Sequence, residues 1–380
     1  MDYLGITRSG HTAINRKLYE LLALRGYTVG LVFPSKLKLG MSFKPHEPIT
    51  ETSISCFPME TTSENPRLTC FIGLRKYLTQ AKPNFIYTEF DPASLLLVYL
   101  RFVKPRNTKI ICISCENLDI RPLANAKREG FKGLVLGTFK TILARLSKPG
   151  IHHVQVLSKD GIDVFRKLGY EKLSVAHLGF DETLFKRDES KRAEKKTELG
   201  LTKPVIAYFG RIVPEKGIHV LLEALNKIKH LEWHFLMDSF NTYANSYAST
   251  ITSKINELKL EDRMIKFDAS HTEIWKYMNA SDICVVPSQT SKKWKEQFGR
   301  VAPESMACGN TIVVSDSGTL KEIVINNGFI FSEKSVNSLV EILAELIQNP
   351  DKVEKYSKKA IGRASQFTLK NQVNTILDID

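Results

Sequence analysis

The chain has 380 residues, 43% hydrophobic and 25% charged, with 54 Lys/Arg against 41 Asp/Glu for a formal net charge of +13. That length exceeds one ordinary core and predicts two domains, while the composition excludes a disordered or collagen-like chain. Residues 1–185 hold 26 Lys/Arg and 16 Asp/Glu, a net of +10 that leaves +3 for the rest; so basic a half points to an anionic partner (phosphorylated ligand, acidic membrane surface or nucleic acid), with solubility alone as the plainer reading.

The opening stretch, MDYLGITRSGHTAINRKLYELL, lacks the basic start, apolar run and cleavage site of a signal peptide. Its strand YLGIT leads through a loop to the amphipathic AINRKLYELLALRG and then to the strand TVGLVFP. Residues 36–66 are rich in Pro, Ser and Thr and poorly periodic, which predicts a long loop with one strand at most. The longest apolar run, PASLLLVYLRFV, is broken by Arg101 and too short to span a bilayer. Further strands are expected at NFIYTEF, KIICISC, HHVQVLS and LSVAHLG, most of them separated by helices, the pattern of βαβ units and a parallel sheet. Six cysteines make no disulfide framework, and the lone CxxC of Cys112 and Cys115 in a predicted buried strand reads as core.

Residues 121–148 mix Lys127, Arg128, Lys132, Lys140, Arg145 and Lys148 with Phe131, Leu134, Leu136, Phe139, Ile142 and Leu143. Such a basic amphipathic helix fits an anionic membrane face. It equally fits an ordinary helix packed on the sheet, the reading preferred for its apolar residues, with the basic ones left available to lipid. No recognition motif or aromatic series for base stacking supports nucleic acid.

The highly charged KRDESKRAEKKTELGLTK, 186–203, has no apolar face until its end and is read as a linker between an N-terminal domain, 1–185, and a C-terminal domain, 204–365. Beyond it the alternation restarts with PVIAYFG, GIHVLLEALNKI, EWHFLMD, a helix near 244–258, MIKFD, TEIWKYMNAS, DICVVPS, RVAPESMACG, TIVVSD, TLKEIVI and GFIFS, and residues 366–380 are expected to form a final helix. The expected class is α/β, two Rossmann-like domains facing one another, with ligands bound in the cleft beyond the carboxyl ends of the strands.

Several residues at those strand ends suit chemistry. PVIAYFG ends at Gly210, and the following loop carries Arg211 and Lys216, two cations placed to meet a diphosphate or, more plainly, to cap a helix or pair with Glu215. In EQFGRVAPESMACG a helix is expected to begin close to Gly299, offering free backbone N–H groups to an anion. Glu296 before it and Glu304 inside it would accept hydrogen bonds from paired sugar hydroxyls; alternatively Glu296 caps the helix and Glu304 pairs with a nearby Lys or Arg. The strand end VVPSQT, with Ser288, and the loop SDSGTLKE, with Ser317 and Gly318, extend the same edge. No His/Cys/Asp cluster has metal-ligand spacing, no Asp-x-Asp stands at a strand end, and GxSxG, P-loop and GxGxxG motifs are missing, which argues against hydrolase, NTPase and dehydrogenase readings.

In order, GRIVPEKG, DICVVPS and EQFGRVAPESMACGNTIVVSDSGTLKEIV closely resemble the C-terminal half of retaining glycosyltransferases of the GT-B fold, family four type, and VLSKDGIDVFRKLGYEKLSVAHLGFDETLF resembles the segment that ends their N-terminal domain. The resemblance runs from about 154 to 332 and is weaker across 1–150. It implies that Arg211 and Lys216 hold the donor diphosphate, that Glu296 contacts donor sugar hydroxyls with the backbone N–H groups of Phe298 and Gly299 nearby, and that Glu304 binds the ribose. It implies no metal and no cofactor, the nucleotide sugar being a substrate, with positioned cations stabilising the leaving group.

Three departures stand out. The loop after the first strand has only Gly10, with Arg8 and Ser9, in place of a Gly-rich run; Glu116-Asn117 stands where many members carry a His, which makes Glu116 a candidate for contacting the donor sugar or a helix-start carboxylate; and Asp238-Ser239 replaces a Gly-rich turn. The resulting expectation is a glycosyltransferase, cytoplasmic or peripheral at the inner membrane face, moving a sugar from a UDP- or GDP-linked donor to a glycan or lipid-linked acceptor with retention of configuration. Its alternatives are a sugar-nucleotide epimerase or hydrolase on the same fold, or a non-catalytic partner subunit. The last helix is expected to cross back to the N-terminal domain.

Overall fold

The computed structural model describes residues 1–39, 42–49, 53–239 and 246–379. The chain divides into two units, Met1–Gly179 with Leu369–Asp380, and Phe180–Thr368.

The first unit is built on a seven-stranded sheet of β1 (Tyr3–Ile6), β2 (Val29–Pro34), β5 (Ser55–Met59), β6 (Phe85–Thr88), β7 (Lys109–Ser114), β8 (His153–Val156) and β9 (Leu173–Val175). Its order is β5-β2-β1-β6-β7-β8-β9 and every pair is parallel. Central strands such as YLGI and IICIS are buried on both faces, so they read as continuous apolar runs. Leu4, Ile6, Ile86, Ile110 and Val154 form the core with helix residues Leu97 and Leu100. β1 lies between β2 and β6, and the order reverses there, so its carboxyl end is the switch point of the sheet.

The stretch expected to be a long loop instead contains a hairpin, β3 (Lys36–Leu39) and β4 (Ser42–Pro45), and the edge strand β5. Only intermediate and exposed residues make up β5, and Pro58 is tolerated because an edge strand leaves one row of N–H groups unpaired, so it carries no apolar run to find. Residues 40–41 and 50–52 of that stretch lie outside the described residues. The CxxC reading is half corrected: Cys112 is buried in β7, but the strand ends at Ser114 and Cys115 is exposed beyond it.

The helix Leu369–Leu377 belongs to this first unit. Val373 and Ile376 are buried, Gln372 accepts from the Gly179 N–H at 2.7 Å, and Gln155 donates to the Thr375 carbonyl at 2.9 Å.

The second unit carries a six-stranded parallel sheet: β10 (Val205–Tyr208), β11 (His234–Asp238), β12 (Met264–Phe267), β13 (Ile283–Val286), β14 (Thr311–Ser315) and β15 (Phe329–Phe331), ordered β12-β11-β10-β13-β14-β15. Its core joins Ile206, Phe235, Ile283 and Val313 to Leu221, Leu225, Leu339 and Leu343 from two helices; each buried leucine contributes about 2 kcal/mol. The switch point lies between β10 and β13.

Residues 186–203 are not a free linker. Glu189–Glu198 is a helix of the second unit, capped by Asp188, whose Oδ1 accepts from the Lys191 N–H at 3.0 Å. It buries no residue and is fastened by charge: Arg192 donates to the Asn279 and Ser281 carbonyls at 2.6 and 2.7 Å, and Arg192 and Lys196 both pair with Asp282. The division between units falls at Gly179/Phe180 and at Thr368/Leu369.

Candidate functional site

In the second unit the carboxyl ends of β10, β13 and β14 carry the loops 209–217, 287–300 and 316–319. The buried Tyr208 hydroxyl donates to the Arg211 carbonyl at 2.8 Å and fixes the first loop; burial first, then Tyr247 and Glu296, push its phenol well above its ordinary value. The loop closes in a short turn, Pro214–Lys216, followed by Gly217 at φ 69°. A Cβ there would stand 1.8 Å from the Pro287 carbonyl oxygen, so only glycine lets this loop meet the end of β13. The Gln289 N–H donates to the Glu215 carbonyl at 2.7 Å and ties the same two loops.

That junction delivers Lys216 to Glu296. Lys216 Nζ stands 2.6 Å from Glu296 Oε2, and the same oxygen accepts from Ser288 Oγ at 2.6 Å. Glu296 is 4% exposed and Ser288 fully buried. Lys216 also lies over the Trp294 ring, 5.2 Å from its centroid. The Glu296 backbone is held by the third loop: Gly318, at φ 54°, would place a Cβ 2.0 Å from the Glu296 carbonyl oxygen, Thr319 N–H donates to that oxygen at 3.3 Å, and Thr319 Oγ1 donates to the Gln297 carbonyl at 2.6 Å. A buried carboxylate in a fixed backbone, satisfied by one ammonium and one hydroxyl, is a preorganised hydrogen-bond acceptor.

The helix expected near Gly299 runs from Val301 to Ala307, after Gly299 at φ 74°. Glu304 is 3% exposed, and its Oε1 accepts no hydrogen bond although Arg300 and His271 stand 3.4 and 3.5 Å away. The plainer reading, a Glu304–Arg pair, is therefore present in geometry, while the carboxylate keeps acceptor capacity. Phe298 is buried and packs edge-on to Phe367, with ring centroids 6.1 Å apart. Arg211 is exposed, and Gly210, expected to end the strand, lies two residues beyond β10 in the loop. Ser239, which replaces the Gly-rich turn, donates from N and Oγ to the Phe267 carbonyl.

The other two sequence candidates belong to the first unit. Gly10 is buried in the turn Ser9–His11, and its carbonyl accepts from the buried Arg16 Nε at 2.8 Å. Glu116 follows β7 in a cluster that sequence reasoning only partly anticipated. Arg67 NH2 stands 2.5 Å from Glu116 and Arg67 NH1 3.3 Å from Asp91, Ser114 Oγ donates to Asp91 at 2.5 Å, and Lys140 lies 3.9 Å from Glu116. Burial, then Asp91, raises the Glu116 carboxyl, with Lys140 and Arg67 opposing; burial lowers the Lys140 ammonium. At the carboxyl ends of β1 and β6, Glu89 accepts from Thr7 and, at 2.8 Å, from Ser9. Glu89 and Asp91 stand just past the strand FIYT, where two acidic residues at a strand end were a legible signal; Arg67 lies in an aperiodic stretch and gave none.

Residues 189–363 match the family described as glycosyl transferases group 1. Over 147 residues the chain is 31% identical to an uncharacterized glycosyltransferase of Methanocaldococcus jannaschii, covering 38% of each. Over 214 residues it is 27% identical to a D-inositol 3-phosphate glycosyltransferase of Mycobacterium leprae, covering 54% of this chain and 48% of that one. The chain thus spans about half the length, or less, of these curated relatives. HepE of Anabaena in complex with UDP superposes with a TM-score of 0.73 at 20% identity, covering 100% of this chain and 99% of that one. That likeness shows the fold, GT-B with its two Rossmann-like units, as the sequence led one to expect.

Proposed function

We propose that the chain, whose residues 189–363 match the glycosyl transferases group 1 family, transfers a sugar from a nucleotide sugar to an acceptor hydroxyl. The observation that carries the reading is the Lys216–Glu296–Ser288 set, the last two buried and Lys216 half-buried, at the carboxyl ends of β10 and β13 within the matched segment. In this reading Lys216 turns from Glu296 toward the donor diphosphate, joined by the exposed Arg211, and Glu296 takes sugar hydroxyls in place of the ammonium. Negative charge grows on the departing nucleoside diphosphate as the glycosidic bond breaks. Once turned onto the diphosphate, Lys216 stabilises that charge together with Arg211, so we assign the two cations the role a divalent ion plays elsewhere. Glu304, with open acceptor capacity, receives the ribose hydroxyls, and the backbone N–H groups of Phe298 and Gly299 lie beside the phosphates.

A uridine diphosphate donor is supported by the likeness to HepE, which is described with UDP and with UDP-glucose; GDP-linked sugars are the second choice. The first unit supplies the acceptor side, where Glu89, Asp91 and Glu116 offer carboxylates to a glycan or lipid-linked acceptor. Transfer proceeds with retention of configuration, in the cytoplasm at the inner membrane face. The experiment is a thermal-shift screen over UDP- and GDP-sugars in EDTA, followed by NMR of the anomeric proton of the product formed with glycan and lipid-linked acceptors. One donor series raising Tm and a retained anomer support the reading. An isomerised or free sugar formed without acceptor favours an epimerase or hydrolase, and no shift with any nucleotide refutes the donor site.

A further inference from the structure

The helix Pro122–Ser147 breaks at Glu129 and Gly130, where Gly130 takes φ 63°. The segment beyond the break, 131–147, presents its small residues and Leu143 inward and most of its large apolar residues outward. Gly133, Gly137, Thr141, Ala144 and Ser147 are buried; a Cβ at Gly133 would meet the Asn125 carbonyl oxygen at 2.2 Å and one at Gly137 the Pro122 Cα at 2.8 Å, so the glycines let 131–147 fold tightly against 122–125. On the other side Phe131 is 79% exposed, Val135 55%, Phe139 41%, Ile142 50% and Leu146 44%. At roughly 100° per residue these five fall within roughly 80° of arc. The preference for packing this helix's apolar residues inward therefore holds for Leu143, which is buried, and is corrected for Phe131, Phe139 and Ile142, which stay exposed while the small residues make the close approach.

The charge around the stripe identifies what covers it. Residues 131–147 contain no Asp or Glu, and 121–148 hold seven Lys/Arg against Glu129 alone. Lys132 and Arg145 are exposed and, by the same helical geometry, flank the stripe on opposite sides. Phe102, 71% exposed, stands on the neighbouring helix Leu95–Val103, whose Arg101 donates to the Leu146 carbonyl at 2.8 Å. An apolar stripe between cations complements the acyl boundary and anionic headgroups of a bilayer, whereas a second copy of the same face would oppose like charges. No helix among the described residues is long and apolar enough to cross a membrane, so the fit is to the surface.

We propose that the outer face of 131–147 seats the first unit on an anionic lipid bilayer, with Phe131, Val135, Phe139, Ile142 and Leu146 entering the interface and Lys132 and Arg145 on the headgroups. This gives the inner-face location of the proposed function a defined surface, but it is measured without donor or acceptor, so either can fail alone. The experiment is flotation of the full chain with vesicles of phosphatidylcholine and of phosphatidylcholine with phosphatidylglycerol. The chain is expected to bind the anionic vesicles and to lose affinity as salt is raised. F131S/F139S/I142S is expected to lower partitioning at least tenfold with an unchanged Tm, because all three side chains are exposed, and K132E/R145E to lower it on anionic vesicles. Wild-type chain that stays unbound overturns the proposal, as does a triple variant that binds equally. So does a dimer, seen by light scattering, that the triple variant dissolves while vesicles remain unbound.

Discussion

Lys216 and Glu296 are the pair on which the proposed donor site rests, and removing them singly and together separates their coupling from the roles in binding proposed for them. Glu296 is buried beside a partly buried Lys216, with side chains 5% and 20% exposed and 2.6 Å between charged atoms. Lys216→Met leaves a carboxylate supported by Ser288 inside the protein, at a cost of about 3 kcal/mol. Glu296→Gln costs less, about 2 kcal/mol, because Lys216 can turn its ammonium to water. The double variant has neither charge and loses only about 1–2 kcal/mol, which gives a coupling of about 3 kcal/mol. For a unit of this size Lys216→Met lowers Tm by roughly 6–12 °C, and the double variant recovers about half of that fall. The assay is scanning calorimetry of all four proteins, repeated with saturating UDP-glucose. Recovery of stability without recovery of the nucleotide-induced shift is expected. A double variant as unstable as the sum of the singles would refute the reasoning, since the pair would then not be coupled, and a double variant with the full ligand shift would remove both residues from the donor site.

Gly217→Ala and Gly318→Ala, at φ 69° and 54° with carbonyl oxygens 1.8 and 2.0 Å from the new Cβ, should each cost more than about 2 kcal/mol in chemical denaturation, whereas Gly362→Ala, in a helix with nothing within 4 Å, should stabilise by about 0.5–1 kcal/mol. His153, His219 and His234 are all lowered from 6.5, each chiefly by burial. The unfolded chain therefore binds more protons near and below pH 6.5, so their contribution is present above 6.5 and is lost as pH falls through the depressed values; Tm should drop from pH 7.5 to 5.5, and less steeply in His219→Gln, which retains a partner for Tyr247. Arg67→Met leaves Asp91 and Glu116 without their shared cation, so the Glu116 carboxyl, already raised, should titrate higher still in a carbon-13 NMR titration; an unchanged titration would mean that the two carboxylates do not interact through Arg67.

The sheets were legible because parallel strands such as VIAY and ICVV are buried on both faces and stand out as β-branched apolar runs. The helix Glu189–Glu198 was not, because it is held by Arg192 and Lys196 on Asp282 and has no apolar periodicity to detect. Spacing alone brought Glu296 and Glu304 to one helix start but could not pair Glu296 with Lys216, which lies 80 positions away and reaches it through glycine-dependent loop contacts. Resemblance to a family assigned both to one site without revealing the ion pair or the Trp294 ring above Lys216. The outward face of 131–147 was legible only as the less favoured of two readings, because an apolar stripe read from sequence is ordinarily a buried one, and the positions of the glycines turn it around.

Isothermal titration of UDP and GDP into the wild-type chain and into Glu304→Ala, both in EDTA, tests the proposed nucleotide site most directly. Saturable one-site binding of one of the two, weakened about tenfold in Glu304→Ala as a lost charged hydrogen bond requires, is the result expected; the absence of heat with either nucleotide, or equal affinity in the variant, would contradict a donor site built on these residues.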